Sequence, residues 1–318
     1  MSHLYIFSPS SAVRDKAAFR RGIAYLKSQG HEVEIDTAAL STSMRFAGDD
    51  ETRLAGIHRA AASGADVAVT ARGGYGLTRI LPGIQYKALA KAVARGTRFV
   101  GFSDFTALQL GLLAKAGAQS WAGPSVCDDF GAQVESDGAP DAVMAACFDD
   151  FLAGQGEGAG WRIPTVRARR TEAEPTSTLP TELELRKAVL WGGNLTVLTS
   201  LLGTPYFPRI KGGILFLEDV GEHPYRIERM LTQLLHAGVL ARQKAVVLGH
   251  FTAYKSFPHD KGFKFETVLQ WLRSQLKTPV VTNLPMGHVK TKVMLPVGAT
   301  ATLTLQGRDA FLLWGHTR

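Results

Sequence analysis

The sequence predicts an α/β protein of two domains, and three observations carry that reading. Short, unalternated apolar runs in the first half are separated by helix-length amphipathic stretches. A chain of 318 residues exceeds one ordinary domain. A Pro- and Thr-rich segment, TEAEPTSTLPT at 171–181, then interrupts the pattern. Residues 1–155 are expected to form the first domain and 156–318 the second, with 171–181 as an exposed loop or linker.

In chain order, LYIF (4–7), HEVEI (31–35), ADVAVT (65–70) and TRFVGF (97–102) predict strands, because a parallel strand covered on both faces has no polar side to alternate with. Helices are expected over 14–29, 50–63, 86–95 and 104–116, with Gly30 and Gly117 placed where a helix end needs a left-handed residue. Beyond the linker, LELRKAVLW (183–191), GILFLED (213–219), KAVVLG (244–249) and PVVTNL (279–284) predict strands. Helical patterns at 194–202, 224–237 and 264–276 separate them. The alternation in ATLTL (301–305) and AFLLW (310–314) predicts a closing hairpin around QGRD.

Composition narrows the class. Apolar residues make up 45% of the chain and charged residues 20%, the balance of a folded globular protein. The start, MSHLYIFSPSSAVRDK, lacks the layout of a secretory signal, and no stretch reaches the ~20 apolar residues of a membrane span, so a cytoplasmic protein is expected. Cys127 and Cys147 are the only cysteines; with no CxxC pair they predict neither a disulfide framework nor a zinc site. Residues 1–150 hold 15 Lys and Arg against 16 Asp and Glu, whereas 151–318 hold 21 against 12. The basic residues of the second half are scattered and lack a recognition-helix pattern, which argues against a nucleic-acid partner and leaves a solvated surface or an anionic small substrate.

Chemistry concentrates in a few segments. In TRFVGFSDFTALQLGLLAKAG an apolar strand ends at Gly101-Phe102, Ser103 follows, and a helix begins at once. Such an elbow presents a serine hydroxyl at the carboxyl end of a sheet, with helix amides behind it to stabilise an oxyanion. The pattern departs from GxSxG at Phe105, and a helix-capping serine is the competing reading. In ARGGYGLTRILPGI, Gly73, Gly74 and Gly76 allow main-chain amides to face a ligand. Neither GxGxxG nor GxxxxGK is present, so an oxyanion loop or an ordinary turn fits better than a nucleotide cradle.

A serine nucleophile needs a base and a group to orient it. His3, His58, His236 and His316 fall at a terminus or within regular patterns, His223 precedes a helix, and His259 lies in a polar loop. His250 at a strand end and His288 in NLPMGHVKTKVMLPVG both remain as candidates. Glu218 and Asp219 end the apolar strand of GILFLEDVGEHPYRIERML, where Glu218 suits either an orienting acid or a structural ion pair. Glu222 suits substrate binding or the helix N-terminus.

Together these segments resemble the LD-carboxypeptidase family, which includes muramoyltetrapeptide carboxypeptidases and related immunity peptidases. The resemblance runs nearly end to end and rests on SPS near the start, RFAG (45–48), RGGYG (72–76), GFSDFTAL (101–108), LWGGNL (190–195), LLGTP (201–205), LEDVGEHPYRIERML (217–231) and GHVKTKVMLPVG (287–298). It implies an N-terminal parallel-sheet domain similar to class I glutamine amidotransferases, plus a C-terminal mixed α/β domain.

The resemblance also implies a Ser-His-Glu triad of Ser103, His288 and Glu218, which selects His288 over His250. Oxyanion donors would be the amides of Gly74 and Asp104. Tyr75, Trp191, Asn194 and Glu222 are the expected substrate contacts. Phe102 stands where some relatives carry Tyr or His. The implied reaction removes a terminal D-alanine from a muropeptide, in a homodimer, with no metal or organic cofactor and no nucleic-acid or membrane partner. The rivals are an immunity-type peptidase that cleaves a peptide–nucleotide conjugate and a non-catalytic ligand-binding protein.

Overall fold

The computed structural model describes residues 1–132, 140–164 and 179–315. In the first half, β1 (His3–Phe7), β2 (Glu32–Ile35), β3 (Val67–Thr70), β4 (Arg98–Gly101) and β5 (Ser120–Ala122) form a parallel sheet in the order β2-β1-β3-β4-β5. Between them run α1 (Lys16–Ser28), α2 (Asp50–Ala62), α3 (Leu77–Ile80), α4 (Tyr86–Ala94) and α5 (Thr106–Ala116). Successive side chains of a strand face opposite ways. Leu4 and Ile6 therefore enter one apolar cluster with Val67, Val69 and Phe19, while Tyr5 and Phe7 enter another with Ile57, Phe99 and Leu108. Helices cover both faces, which is why β1, β3 and β4 carry continuous apolar runs. Asp15 caps α1 by accepting the Ala17 and Ala18 amides, and Gly30 and Gly117 adopt the expected positive φ past their helices.

α6 (Ala142–Ala153) closes the first half, its Met144, Phe148 and Phe151 packing with Leu4, Ile6 and Val69. The second half holds β6 (Gly158–Arg162), β7 (Glu182–Asn194), α7 (Leu195–Ser200), β8 (Ile214–Val220), α8 (Pro224–His236), β9 (Ala245–Thr252), α9 (Phe265–Gln275), β10 (Val280–Val281), β11 (Leu295–Val297), β12 (Thr300–Gln306) and β13 (Asp309–Leu313). Its sheet runs β10-β9-β8-β7-β12-β13-β6, parallel from β10 to β7 and antiparallel from β7 to β6. The fold is thus mixed α/β with two sheets. The expected hairpin forms between β12 and β13, where Gln306 pairs with Asp309.

Three features depart from the expected elements. PVVTNL contributes only Val280 and Val281 to the sheet, because Asn283 takes φ +69 and the Thr282 carbonyl accepts the Trp161 indole N–H at 2.9 Å. β11 leaves the second half and pairs antiparallel with β5, extending the first sheet. A π-helical turn at Val126–Phe130 follows β5 and packs on α1. The two halves also share one apolar cluster, in which Phe99 and Leu108 join Trp191, Leu195, Leu215 and Leu217. Residues 171–178 of the expected linker, and His316, lie outside the described residues.

Candidate active site

The first component is the turn after β4. Phe102 is extended, Ser103 has φ +62, and a short 3-10 turn over Ser103–Phe105 leads into α5. A non-glycine residue at positive φ costs about 1–3 kcal/mol and persists only where its surroundings enforce it. They do so here through close approach. A Cβ on Gly101 would come within 2.8 Å of Thr70 and Phe105, and one on Gly73 would lie 2.9 Å from Cβ and 3.0 Å from Oγ of Ser103. The bare α-carbon of Gly73 is therefore one wall around the serine hydroxyl.

Asp104, 2% exposed, fastens this turn to its neighbours. Its Oδ2 accepts the Leu77 amide at 2.9 Å, with Ser10, Arg53 and the Gly76 amide near enough to favour its charged form. Burial pushes its carboxyl up from the ordinary range, against the pull of those donors. Arg53, fully buried, donates to the Gly76 carbonyl at 2.8 Å. Ser11 Oγ accepts the Tyr75 amide at 3.0 Å. The SPS segment, the RGGYG loop and the serine turn are thus one hydrogen-bonded unit, with Gly74 at φ +112 and open to solvent.

The second component comes from the other sheet. Glu218 on β8 and His288, in the loop before β11, meet at 2.9 Å between Oε2 and Nδ1. Two glycines shape the slot: ideal Cβ positions on Gly249 and Gly287 fall 3.4 and 3.3 Å from Glu218 Cβ. Oε1 of Glu218 has no partner among the described residues. With Nδ1 on the carboxylate, Nε2 is the nitrogen left to face the cleft. His250 does not take this place; its backbone amide donates to Met286 at 2.9 Å and so docks the loop that carries His288.

Phe102 joins the two components. The His288 ring lies 4.9 Å from the Phe102 ring, beside Ser103 in the chain, and Lys292 Nζ lies 4.4 Å from that ring's centre. Among the described residues no hydrogen bond links Ser103 directly to His288. Lys292 also forms a buried ion pair with Asp129 of the π-helical turn, whose carboxylate takes the Ser125 amide at 2.7 Å. A cavity of about 420 Å³ opens here, lined by Phe102, Asp128, Met144, His288 and Lys292 among others.

The remaining expected contacts divide. Tyr75 is 47% exposed beside the loop, with Arg45 over its ring, and Glu222 pairs with Arg226 at 2.6 Å near the start of α8. Trp191 and Asn194 correct the expectation. Trp191 is 0% exposed, with its indole N–H held by Gln243. Asn194 is a buried helix cap, its carboxamide bonded to Asp219 and the Val197 amide. Gly193 and the Asn194 amide approach Thr106, just behind the serine turn. Lys292, Asp129 and Asp128 were absent from the expected set, since charged residues in loops carry no sequence signal of burial.

Among the described residues no group of three or more His, Cys, Asp or Glu side chains is placed to hold a metal ion. No described helix is long and apolar enough to cross a membrane. Cys127 and Cys147 are unpaired, and burial pushes the Cys127 thiol up to about 12.

Comparison with known proteins follows the same two halves. Residues 4–123 match the LD-carboxypeptidase N-terminal domain and 187–303 the LD-carboxypeptidase C-terminal domain. The murein tetrapeptide carboxypeptidase of Pseudomonas aeruginosa is 32% identical over 264 residues, 81% of this chain and 79% of that one. The crystal structure of muramoyltetrapeptide carboxypeptidase from Oxalobacter formigenes superposes with a TM-score of 0.84 at 39% identity, covering 99% of both chains. MccF in complex with glutamyl sulfamoyl guanosine superposes with a TM-score of 0.82 at 20% identity, covering 100% of this chain and 97% of that one, a likeness of fold alone.

Proposed function

Because the chain belongs to the LD-carboxypeptidase family, we propose that it is a serine carboxypeptidase that releases the terminal D-alanine from muramyl tetrapeptide in cell-wall recycling. The observation that carries this reading is the Glu218–His288 pair, 2.9 Å apart, set against the strained turn of Ser103. The nucleophile then comes from an N-terminal domain, 1–155, and the acid and base from a C-terminal domain, 156–318.

In this reading His288 Nε2 takes the Ser103 proton as the hydroxyl attacks the carbonyl before the terminal residue. The amides of Gly74 and Asp104 hold the oxyanion, and His288 returns the proton to the departing amine. Water, activated by the same imidazole, then frees the acyl group from Ser103. The serine–histidine contact closes with substrate in place, as such contacts often do. Glu218 keeps the imidazole in the tautomer that leaves Nε2 free and stabilises the imidazolium. No metal or organic cofactor takes part, and the reading includes a cytoplasmic homodimer.

Incubating the purified protein with muramyl tetrapeptide and following mass tests this. Loss of one alanine, abolished by Ser103→Ala, is expected. Cleavage of a peptide–nucleotide conjugate with the tetrapeptide left intact would move the protein to the immunity-type activity. Binding of tetrapeptide without turnover would leave only a binding protein.

A further inference from the structure

Deepening the peptidase reading, on which it rests, we propose that Arg72 forms the subsite for the free terminal carboxylate of the substrate. A second cavity, about 310 Å³, lies beside the His288 cavity and shares Asp128 and Ala132 with it. Arg14, Arg21 and Arg72 line it together with Asp15 and Asp128. The two acids do not cancel three guanidinium groups. Asp15 stays an anion, held by the Ala17 and Ala18 amides and 3.8 Å from Arg21, while burial pushes the Asp128 carboxyl up against the pull of Arg72, so the lining still carries one more cationic than acidic side chain.

Arg72 is the member closest in the chain to the serine turn. It directly precedes Gly73, whose α-carbon packs on Ser103. One residue of extended chain spans about 3.8 Å. A peptide with its scissile carbonyl at Ser103 therefore has its end one step away, within reach of this side chain. Arg72 is half-buried; among the described residues its one hydrogen bond runs from Nη1 to the Ala12 carbonyl at 3.2 Å, and the Asp128 carboxyl lies near enough to feel its charge. A guanidinium has five N–H donors in a planar fork, so an anchored arginine keeps a pair for a carboxylate. Arg21 is held by the Gly131 carbonyl at 3.0 Å and lies 3.8 Å from Asp15, and Arg14 is exposed, so both add field more than contact. An enzyme that removes only a chain end must sense the charge that marks it, and a serine turn with its oxyanion amides is blind to that charge.

Three peptides decide the matter: one with a free terminal carboxylate, one amidated only at that end, and one amidated only on a side-chain carboxylate. The native protein should favour the free end over the terminal amide by about 100-fold in kcat/KM. Arg72→Met should collapse that ratio, chiefly by raising KM for the free-end peptide, and Arg72→Lys should keep part of it. Side-chain amidation should not change the dependence on Arg72. Equal losses on acid and amide peptides, no native preference for the acid, or a dependence that follows the side-chain carboxylate would each overturn the assignment. If the native protein cleaves none of the three, the peptidase reading fails, and calorimetry with D-alanine and D-alaninamide settles the subsite. Selective binding of D-alanine, weakened by Arg72→Met, supports it, and equal or absent binding of both refutes it. The native comparisons decide the question even if the Met variant does not fold.

Discussion

Nδ1 of His288 lies 2.9 Å from Oε2 of Glu218, and the two ends of this contact live in different environments: the carboxylate is 1% exposed, the imidazole 24%. The acid is locked inside the second sheet and the ring reaches out over Phe102. A fixed carboxylate of this kind selects one imidazole tautomer, and a neutral isostere selects the other. Glu218→Gln should therefore fold normally yet lose about 10²- to 10⁴-fold in kcat. Steady-state kinetics on the tetrapeptide check this, and a loss under tenfold would show that something else orients the ring.

Ser103 at φ +62 makes stability and activity pull apart. Glycine accepts this backbone freely, whereas alanine does not. Ser103→Gly should raise the melting temperature by about 2 °C while abolishing turnover, and Ser103→Ala should abolish turnover without that gain. Calorimetric scans of both variants measure the difference; equal melting temperatures would mean the turn is unstrained.

Gly73 offers a test of the wall around the hydroxyl. An added methyl group would meet Ser103 Cβ at 2.9 Å and Oγ at 3.0 Å, yet the backbone of Gly73 is not at positive φ. Gly73→Ala should lower kcat by roughly 100-fold through displacement of the nucleophile, with a small change in melting temperature. Full activity in this variant would show that the hydroxyl has room to spare.

The parts of the fold that are legible in the sequence are those where one physical demand dominates a run of residues. LYIF, ADVAVT and TRFVGF are buried on both faces of the sheet, so their composition announces them. β5 and β11 have three residues each and β11 contains Pro296, too short and too mixed a signal to separate from loop. The serine turn is visible because a strand, a small polar residue and a helix follow without a gap. The Glu218–His288 contact is not, because it spans 70 positions and local sequence leaves His250 equally eligible; the family resemblance supplies it. Trp191 shows the converse error, since an aromatic in a shared motif suits a binding face and a core equally well, and burial is decided by what packs on it.

Asp36 links pH to stability far from the cleft. Burial pushes its carboxyl up, but bonds from Arg59 at 2.8 Å and Tyr5 at 2.6 Å and from the Ala38 amide outweigh burial and hold it below the usual range. A group depressed in the folded state stabilises above its unfolded value, about 3.9, and that contribution is lost as pH falls through the folded value. Asp36→Asn should thus be destabilising at neutral pH, and the gap to the native protein should narrow below about pH 4. Urea midpoints across that range measure it, and a gap constant with pH would remove the linkage.

Lys292 and Asp129 are 2% and 3% exposed, and their ion pair ties the His288 loop to the π-helical turn of the other half. Taking one partner away leaves the other charged and buried, which costs about 3–5 kcal/mol, whereas replacing both by neutral groups is often nearly free. Lys292→Met alone should therefore lower the unfolding free energy by that amount, and Lys292→Met with Asp129→Asn should recover most of it. Because Lys292 also faces the Phe102 ring that His288 packs on, the double variant should regain stability without regaining full kcat. Denaturant unfolding and kinetics on the same three proteins separate the two effects. A double variant restored in both would mean the pair serves the fold alone.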